Sequence, residues 1–210
     1  MLDNSRGDGS VLINVNKTLD LYGINLVRRA VHIVRNPLDV LVERFHHERS
    51  EVIQGDDLAK SKKWLKKHPP SVIGFHRWCN NIDLENRKQR WLQSNIIKDV
   101  DAKSLLVNTL CSTELLRYVQ WHNNTFQITD GYMMPTLLVH FEDFEDRYDS
   151  VVKDFLSFLK LSTMKEVNPS KEFGKSKNNY FTTIQKRNVA KVVERLSTTE
   201  TWNHLVRYFK

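Results

Sequence analysis

Residues 27–49, VRRAVHIVRNPLDVLVERFHHER, contain a short β-type run that passes through Arg-Asn-Pro directly into a helical pattern. Residues 31–34 are rich in β-branched side chains, and the run is too short for a stable lone helix, so the pattern predicts a buried strand. Pro37 lacks an amide hydrogen but has the φ angle of a first helical turn, which favours a helix that begins there with Asn36 as its cap. The sequence therefore predicts a strand, a tight turn and a helix.

Arg35 lies between the predicted strand and the predicted helix. The helix is amphipathic, because its apolar side chains repeat at helical spacing: Leu38, Leu41, Val42 and Phe45. Open α/β sheets bind ligands at the carboxyl ends of their strands, and the amides of a helix amino terminus favour anions. Arg35 is therefore predicted to bind an anion; the alternative is a surface arginine in a structural ion pair.

The composition fits a globular protein with an anionic ligand. The chain has 210 residues, 40% of them hydrophobic, and a formal net charge of +7, so it can bury a core and favours one domain over two. Nucleic acid is not expected as a partner, because the basic residues are scattered among 25 acidic ones and no zinc-finger, RNP or helix-turn-helix pattern occurs. The lysines of KSKKWLKKH, residues 60–68, could attract a sulfated or acidic polymer or simply form a solvated face.

Neither the apolar runs nor the cysteines indicate a membrane span or a metal centre. No apolar run approaches the length of a membrane span, although a longer product could carry an anchor. Cys79 and Cys111 are the two cysteines, and they could form one disulfide or remain two buried thiols. His46 and His47 are adjacent on a helix and point to different faces, so no metal site is expected.

The remainder of the chain mixes strand and helix patterns, which indicates the α/β class, with helices more frequent towards the end. Residues 1–10 are predicted to be loose, and the lysine-rich residues 51–70 to be a mobile insertion. His122 and His140 are interpreted as structural histidines, and Glu142 with Asp143 as caps of the next helix. The other predicted elements are strands at 11–15, 105–107 and 136–141, helices from Phe75, after Thr113 and over 144–159, and two final helices with capping boxes at Thr182–Gln185 and Ser197–Glu200.

Several of these segments, taken in order, resemble the sulfotransferases that use 3′-phosphoadenosine 5′-phosphosulfate (PAPS). HIVRNPLDVLVERFH resembles their 3′-phosphate-binding segment, and LLVHFEDFEDRYDSVVKDFLSFLKL their later strand, acidic turn and helix. NNYFTTIQKRNVAKVVERL resembles their carboxyl-terminal cofactor loop and helix, and RYVQWHNNTF is similar to a segment of the algal and plant-like branch. The resemblance covers roughly residues 11–208, and the matching order makes it more specific than one short motif.

The resemblance implies a three-layer fold with a parallel central sheet over residues 11–210, truncated at the amino terminus. It implies transfer of a sulfonate group from PAPS to a hydroxyl of a carbohydrate, lipid or small-molecule acceptor, without a metal. Arg35 would hold the 3′-phosphate of PAPS, and Lys175 and Lys177, in FGKSKNNYF, would approach the same phosphate.

Three positions depart from the family pattern. Residues 1–26 contain no Pro-Lys-Ser/Thr-Gly-Thr-Thr loop for the 5′-phosphosulfate, so a preceding segment is missing or the domain has decayed. Leu19 stands where many relatives have a histidine base, with Asp20 beside it. Glu43 occupies the position of a phosphate-binding serine, where it would repel the phosphate unless it pairs with His47 or turns to solvent.

Two hypotheses follow from the resemblance: an active sulfotransferase domain, or an inactive or truncated member that keeps a nucleotide 3′-phosphate site or an interaction role. Carbohydrate sulfotransferases of this kind are usually Golgi proteins, whereas those for small molecules are cytosolic. The two cysteines and the sequons at Asn16 and Asn123 favour the Golgi lumen over the cytoplasm.

Overall fold

The computed structural model describes residues 27–88, 100–162 and 178–210. Its strands are β1 (Ala30–Val34) and β2 (Thr136–His140). Its α-helices are α1 (Pro37–Gln54), α2 (Leu58–Lys67), α3 (Val72–Lys88), α4 (Val100–Val107), α5 (Ser112–Gly131), α6 (Asp143–Asp146), α7 (Tyr148–Leu159), α8 (Thr183–Leu196) and α9 (Thr199–Leu205), with 3-10 turns at Asn178–Tyr180 and Val206–Tyr208. This helix-rich arrangement with a small parallel sheet is compatible with the predicted α/β class.

Contacts within the chain group the described residues into two compact units. The first contains residues 27–36 and 122–162, and the second contains residues 37–88, 100–121 and 178–210. The chain passes between the units after Asn36 and within α5. The predicted boundaries of a single domain at 11–210 and a loose segment at 1–10 stay predictions.

The first unit is built on a parallel pair of strands. Residue by residue, β1 pairs with β2 from Ala30 opposite Thr136 to Val34 opposite His140. The amide of Phe141 donates to the carbonyl of Val34 over 2.8 Å, which continues the ladder one residue beyond β2. Parallel strands need a long connection between them, and here more than a hundred residues separate the paired positions. The pairing therefore brings two distant segments to one sheet edge.

The core of the second unit is an aromatic cluster. Phe45 of α1 packs against Phe75 and Trp78 of α3 with ring centroids 5.7 and 5.6 Å apart, and Phe181 lies 5.2 Å from Phe75. Phe45 and Phe75 are fully buried. Burial of such a side chain contributes about 1.5–3 kcal/mol, so this cluster fixes α3 against α1.

The start of α5 is attached to α3 by a disulfide and by a carboxylate. Cys79 and Cys111 form a disulfide, which settles the two alternatives left open by the sequence. One turn after Cys79, the buried carboxylate of Asp83 accepts the backbone amides of Ser112 and Thr113 over 3.2 and 2.9 Å. Asp83 thus satisfies the first amides of α5, which have no acceptor within the helix itself.

Most predicted elements occur where they were expected, and four differ. The helix predicted after Thr113 already begins at Ser112. Residues 105–107 end helix α4 instead of forming a strand. The cap of α9 is Thr198, whose hydroxyl accepts the amide of Thr201, so the predicted cap at Ser197 was one residue early. The helix predicted over 144–159 is interrupted at Arg147, where φ is −135° and ψ is 34°. The capping box of Thr182 and Gln185 is confirmed.

Two further predictions concern residues 51–70 and residues 11–15. Residues 51–70 contain the end of α1 and the whole of α2, and their mobility stays a prediction. The predicted strand at 11–15 lies outside the described residues. None of the described helices is both long enough and apolar enough to cross a bilayer.

Gly74 leaves space for the chain to turn tightly onto α3. A Cβ at this position would lie 1.9 Å from the carbonyl oxygen of Pro69 and 2.7 Å from its nitrogen. Both are backbone atoms, so no side chain can move aside, and we expect Gly74→Ala to lower the free energy of unfolding by about 2–3 kcal/mol. Urea denaturation followed by circular dichroism measures this loss.

Gly131 provides a matched control for that substitution. A Cβ on Gly131 would meet nothing within 4 Å, and alanine is favoured over glycine in a helix by up to about 1 kcal/mol. Gly131→Ala should therefore be neutral or slightly stabilising. Equal stability of the two variants would mean that the Pro69 carbonyl does not approach Gly74 so closely.

Candidate functional site

The carboxyl edge of the two-stranded sheet carries the candidate site. β1 ends at Val34 and is followed by Arg35 and Asn36, while β2 ends at His140 and is followed by Phe141 and Glu142. Since Val34 pairs with His140, the two following dipeptides are side by side. This is the edge at which the sequence predicted an anion site.

Arg35 is held against an aromatic ring at this edge. Its guanidinium carbon lies 4.5 Å from the centroid of the Phe141 ring, and the side chain is half-buried. Such a cation–π contact contributes about 0.5–2 kcal/mol and restrains the planar guanidinium. The N–H groups in that plane are the ones that bind phosphate in a bidentate manner, so Phe141 orients the group predicted to bind the anion.

Glu142 joins the two sides of the edge. Its Oε1 accepts the backbone amide of Asn36 over 2.7 Å. The sequence indicated that Glu142 would cap the next helix, but its side chain makes no capping hydrogen bond to α6, although it occupies the cap position. The carboxylate therefore uses an amide that an incoming anion could otherwise bind, and it adds negative charge beside Arg35.

The other predicted site residues lie on α1 or outside the described residues. Glu43 is half-buried on α1. His47 was proposed as its partner, and its Nδ1 lies 3.5 Å from Glu51 Oε2. Lys175 and Lys177 lie outside the described residues, as do Leu19, Asp20 and the segment 1–26 in which the phosphosulfate loop was sought. Phe141 was missed as a site residue, because only the pairing of two distant strands brings it to Arg35.

Two buried histidines lie in the first unit and support β1. His32 of β1 and His122 of α5 are 0% and 4% exposed, and His32 Nε2 is 2.8 Å from His122 Nδ1. Phe126 packs on His32 with ring centroids 4.2 Å apart. Burial, followed by the proximity of His32, lowers the pKa of His122 to about 3. His122 is therefore neutral near pH 7 and has the structural role that the sequence indicated.

The histidines of α1 are held separately. His46 Nε2 is 3.1 Å from the hydroxyl of Tyr180, whereas His47 pairs with Glu51. Within residues 27–88, 100–162 and 178–210 no three His, Cys, Asp or Glu side chains are grouped as a metal site would require.

The described residues place Arg35 on Phe141 at this edge and assign no catalytic residue. No protein-family model, curated protein or solved structure matches this chain.

Proposed function

We propose that the chain is a sulfotransferase-type domain that binds the 3′-phosphate of PAPS through Arg35. The observation that carries the proposal is an arginine fixed on Phe141 at the carboxyl end of a parallel strand pair, where α/β sheets commonly bind ligands. The ordered resemblance of four segments gives the ligand its identity. The three-layer fold and the algal or plant-like branch belong to the same proposal.

In the proposed reaction, an acceptor hydroxyl attacks the sulfur of PAPS. An oxygen–sulfur bond forms to the acceptor while the bond from sulfur to the 5′-phosphate oxygen breaks, and the hydroxyl proton passes to a base. The products are the sulfated acceptor and 3′-phosphoadenosine 5′-phosphate. In-line group transfer of this kind depends chiefly on positioning and charge stabilisation. Arg35, with Lys175 and Lys177, would hold the nucleotide end far from the reacting sulfur.

A second candidate function is nucleotide binding without catalysis. Glu142 favours it, because its carboxylate occupies the Asn36 amide next to Arg35, and so do Leu19 and Glu43 among the sequence departures. Such a domain would retain the 3′-phosphate contact and lack sulfonate transfer. The acceptor for the active alternative would be a carbohydrate, a lipid or a small hydroxylated molecule.

The Cys79–Cys111 disulfide supports a location in the secretory pathway. Disulfides persist in oxidising compartments and are rare in the cytosol. We therefore favour the Golgi lumen, which is where carbohydrate sulfotransferases of this family usually act.

The proposal predicts that Arg35→Ala weakens binding of 3′-phosphoadenosine 5′-phosphate. Loss of a charged hydrogen bond costs about 1.5–3 kcal/mol, which corresponds to a dissociation constant about ten- to a hundredfold higher. Calorimetric titration at low and moderate salt measures it. Arg28→Ala, which removes an exposed arginine shortly before β1, should leave the affinity unchanged apart from a small effect of net charge.

A second nucleotide makes the test specific for the 3′-phosphate. Adenosine 5′-phosphate lacks that group, so Arg35→Ala should not change its affinity. An equal loss for both nucleotides would assign Arg35 to another part of the ligand. No binding of either nucleotide by the folded chain would reject the nucleotide site altogether, and binding without transfer to any acceptor would favour the non-catalytic candidate.

A further inference from the structure

A cavity of about 300 Å³ lies within the second unit, on residues that take no part in the Arg35 site. Side chains of α1, α2 and α3 line it, among them Lys60, Lys63, Trp64 and Lys67. Its volume is at the lower end of the range for small-molecule sites. It is large enough for about one sugar ring.

Helix α2 places three cations and one indole along this cavity. Positions 60, 63, 64 and 67 follow the spacing of one helix face, and all four line the cavity. Lys62 and Lys66 belong to the same helix and do not line it. Asp57 caps α2 and pairs with Lys60 over 3.1 Å. These two contacts fix the first turn of the helix.

The wall at the end of α2 is preorganised by a chain of hydrogen bonds. His68 is 2% exposed, its Nδ1 donates to the carbonyl of Trp64 over 3.0 Å, and its Nε2 accepts from the amide nitrogen of Asn81 over 2.8 Å. The amide oxygen of Asn81 in turn accepts from Lys67 Nζ over 3.2 Å. Burial lowers the pKa of His68, which suits this neutral tautomer. The Trp64 indole packs on His68 with ring centroids 4.3 Å apart, and the Asn81 amide directs Lys67 towards this wall.

The opposite wall presents hydrogen-bond acceptors. Trp78 lines the cavity, and its Nε1 donates to Glu48 Oε2 over 2.8 Å, which fixes the Glu48 carboxylate. Glu85 adds a second carboxylate to the lining. The cavity thus combines cations, carboxylates, an amide and indole surface within one small volume.

An acidic sugar satisfies this mixture better than other polyanions do. Its sulfate or carboxylate groups can pair with the lysines, its hydroxyl groups can donate to Glu48 and Glu85, and its C–H face can pack on Trp64. A single-stranded DNA has no free sugar hydroxyl within the strand, and the side chains of an acidic peptide only accept hydrogen bonds. Both therefore offer fewer donors to Glu48 and Glu85 than a sugar does.

The geometry points to a binding site for an acidic polysaccharide, with one sulfated or carboxylated sugar in the cavity and its neighbours along the Lys60–Lys67 face of α2. The site is independent of the proposed sulfonate transfer, because it lies entirely within the second unit. It would bind such a polymer whether or not the chain is an enzyme.

Titration of the full chain with a chondroitin sulfate hexasaccharide tests this inference. We expect Lys63→Gln/Lys67→Gln to weaken binding at least about tenfold, since two charge-assisted contacts are lost. The control Lys62→Gln/Lys66→Gln removes the same charge at the same spacing from positions that do not line the cavity, and it should change the affinity by less than about threefold. Equal losses in the two double variants would mean diffuse attraction to the helix and would overturn the site.

Substitution of Trp64 and a comparison of three ligands provide the remaining tests. Trp64→Ala should abolish hexasaccharide binding while Trp64→Phe keeps part of it, because the phenyl ring retains an apolar face. A hexaglutamate peptide and a short single-stranded DNA of matched charge should bind at least about tenfold more weakly than the hexasaccharide. Equal or tighter binding of either probe, or no hexasaccharide binding by a chain with native circular dichroism, would reject the inference.

Discussion

Loss of the Cys79–Cys111 disulfide should lower the free energy of unfolding by about 4 kcal/mol. The two cysteines are 32 residues apart, and closing a loop of that length restricts the unfolded chain by roughly this amount. Both cysteines are fully buried, so the bond also joins α3 to the start of α5 within the core. Urea denaturation of the double variant Cys79→Ala/Cys111→Ala measures the loss.

Reduction of the unaltered chain provides the matched comparison. Dithiothreitol should destabilise the wild-type chain about as much as the double substitution does, and it should leave the double variant unchanged. Equal stability of the oxidised and reduced wild-type chains would contradict the prediction. It would show that the loop between Cys79 and Cys111 is already restricted when the chain unfolds.

Asp83 should contribute more to stability when the disulfide is absent. It lies one turn after Cys79, and its carboxylate accepts two amides at the start of α5. The carboxylate and the disulfide therefore hold the same two segments, and their contributions should not be additive. The reduced chain should depend on Asp83 more strongly than the oxidised chain does.

Local sequence patterns correctly predicted the strands, helices and caps that depend on neighbouring residues in the chain. The strand, turn and helix from Ala30 to Gln54 follow from a β-branched run, Pro37 and an apolar helix face. The capping box at Thr182 follows from two side chains three residues apart. Residues 105–107 were wrongly predicted as a strand, because an apolar run of three residues has no period and the helix continues into it from Val100.

The sequence predicted the site residue that follows β1, but not the role of the residues that follow β2. Arg35 was identified from its position after β1, but Phe141 and Glu142 join it through pairing with β2, which periodicity does not specify. Glu142 was predicted to cap a helix because a carboxylate before a helix usually does so. The tertiary partner Asn36 was available at 2.7 Å instead. Contacts between segments a hundred residues apart carry no local signal.

The His32–His122 pair predicts that the chain loses stability as the pH falls below about 6.5. The pKa of His122 is about 3 in the folded chain, chiefly because the imidazole is buried, and its ordinary value is 6.5. Between these values the unfolded chain binds a proton that the folded chain does not. The contribution of neutral His122 is therefore complete above pH 6.5 and declines towards pH 3, by about 1.4 kcal/mol for each pH unit.

Urea denaturation at several values between pH 7 and pH 4 measures this slope in the wild-type chain and in two variants. His122→Gln retains an acceptor for His32 Nε2 but cannot titrate, so the slope should be shallower by about 1.4 kcal/mol per pH unit. Gln127→Ala removes an exposed side chain of α5 that cannot titrate and should keep the wild-type slope.

Identical slopes in the wild-type chain and His122→Gln would show that His122 gains its proton without unfolding. Protonated His122 would then have to be accommodated beside His32, at a distance of 2.8 Å between their ring nitrogens, and a nearby acceptor or water would be needed to stabilise the charge. A shallower slope in the variant would instead establish that His122 is neutral in the folded chain. In that case β1 folds only while His122 stays neutral. The position of Arg35 at the end of that strand then depends on the same condition.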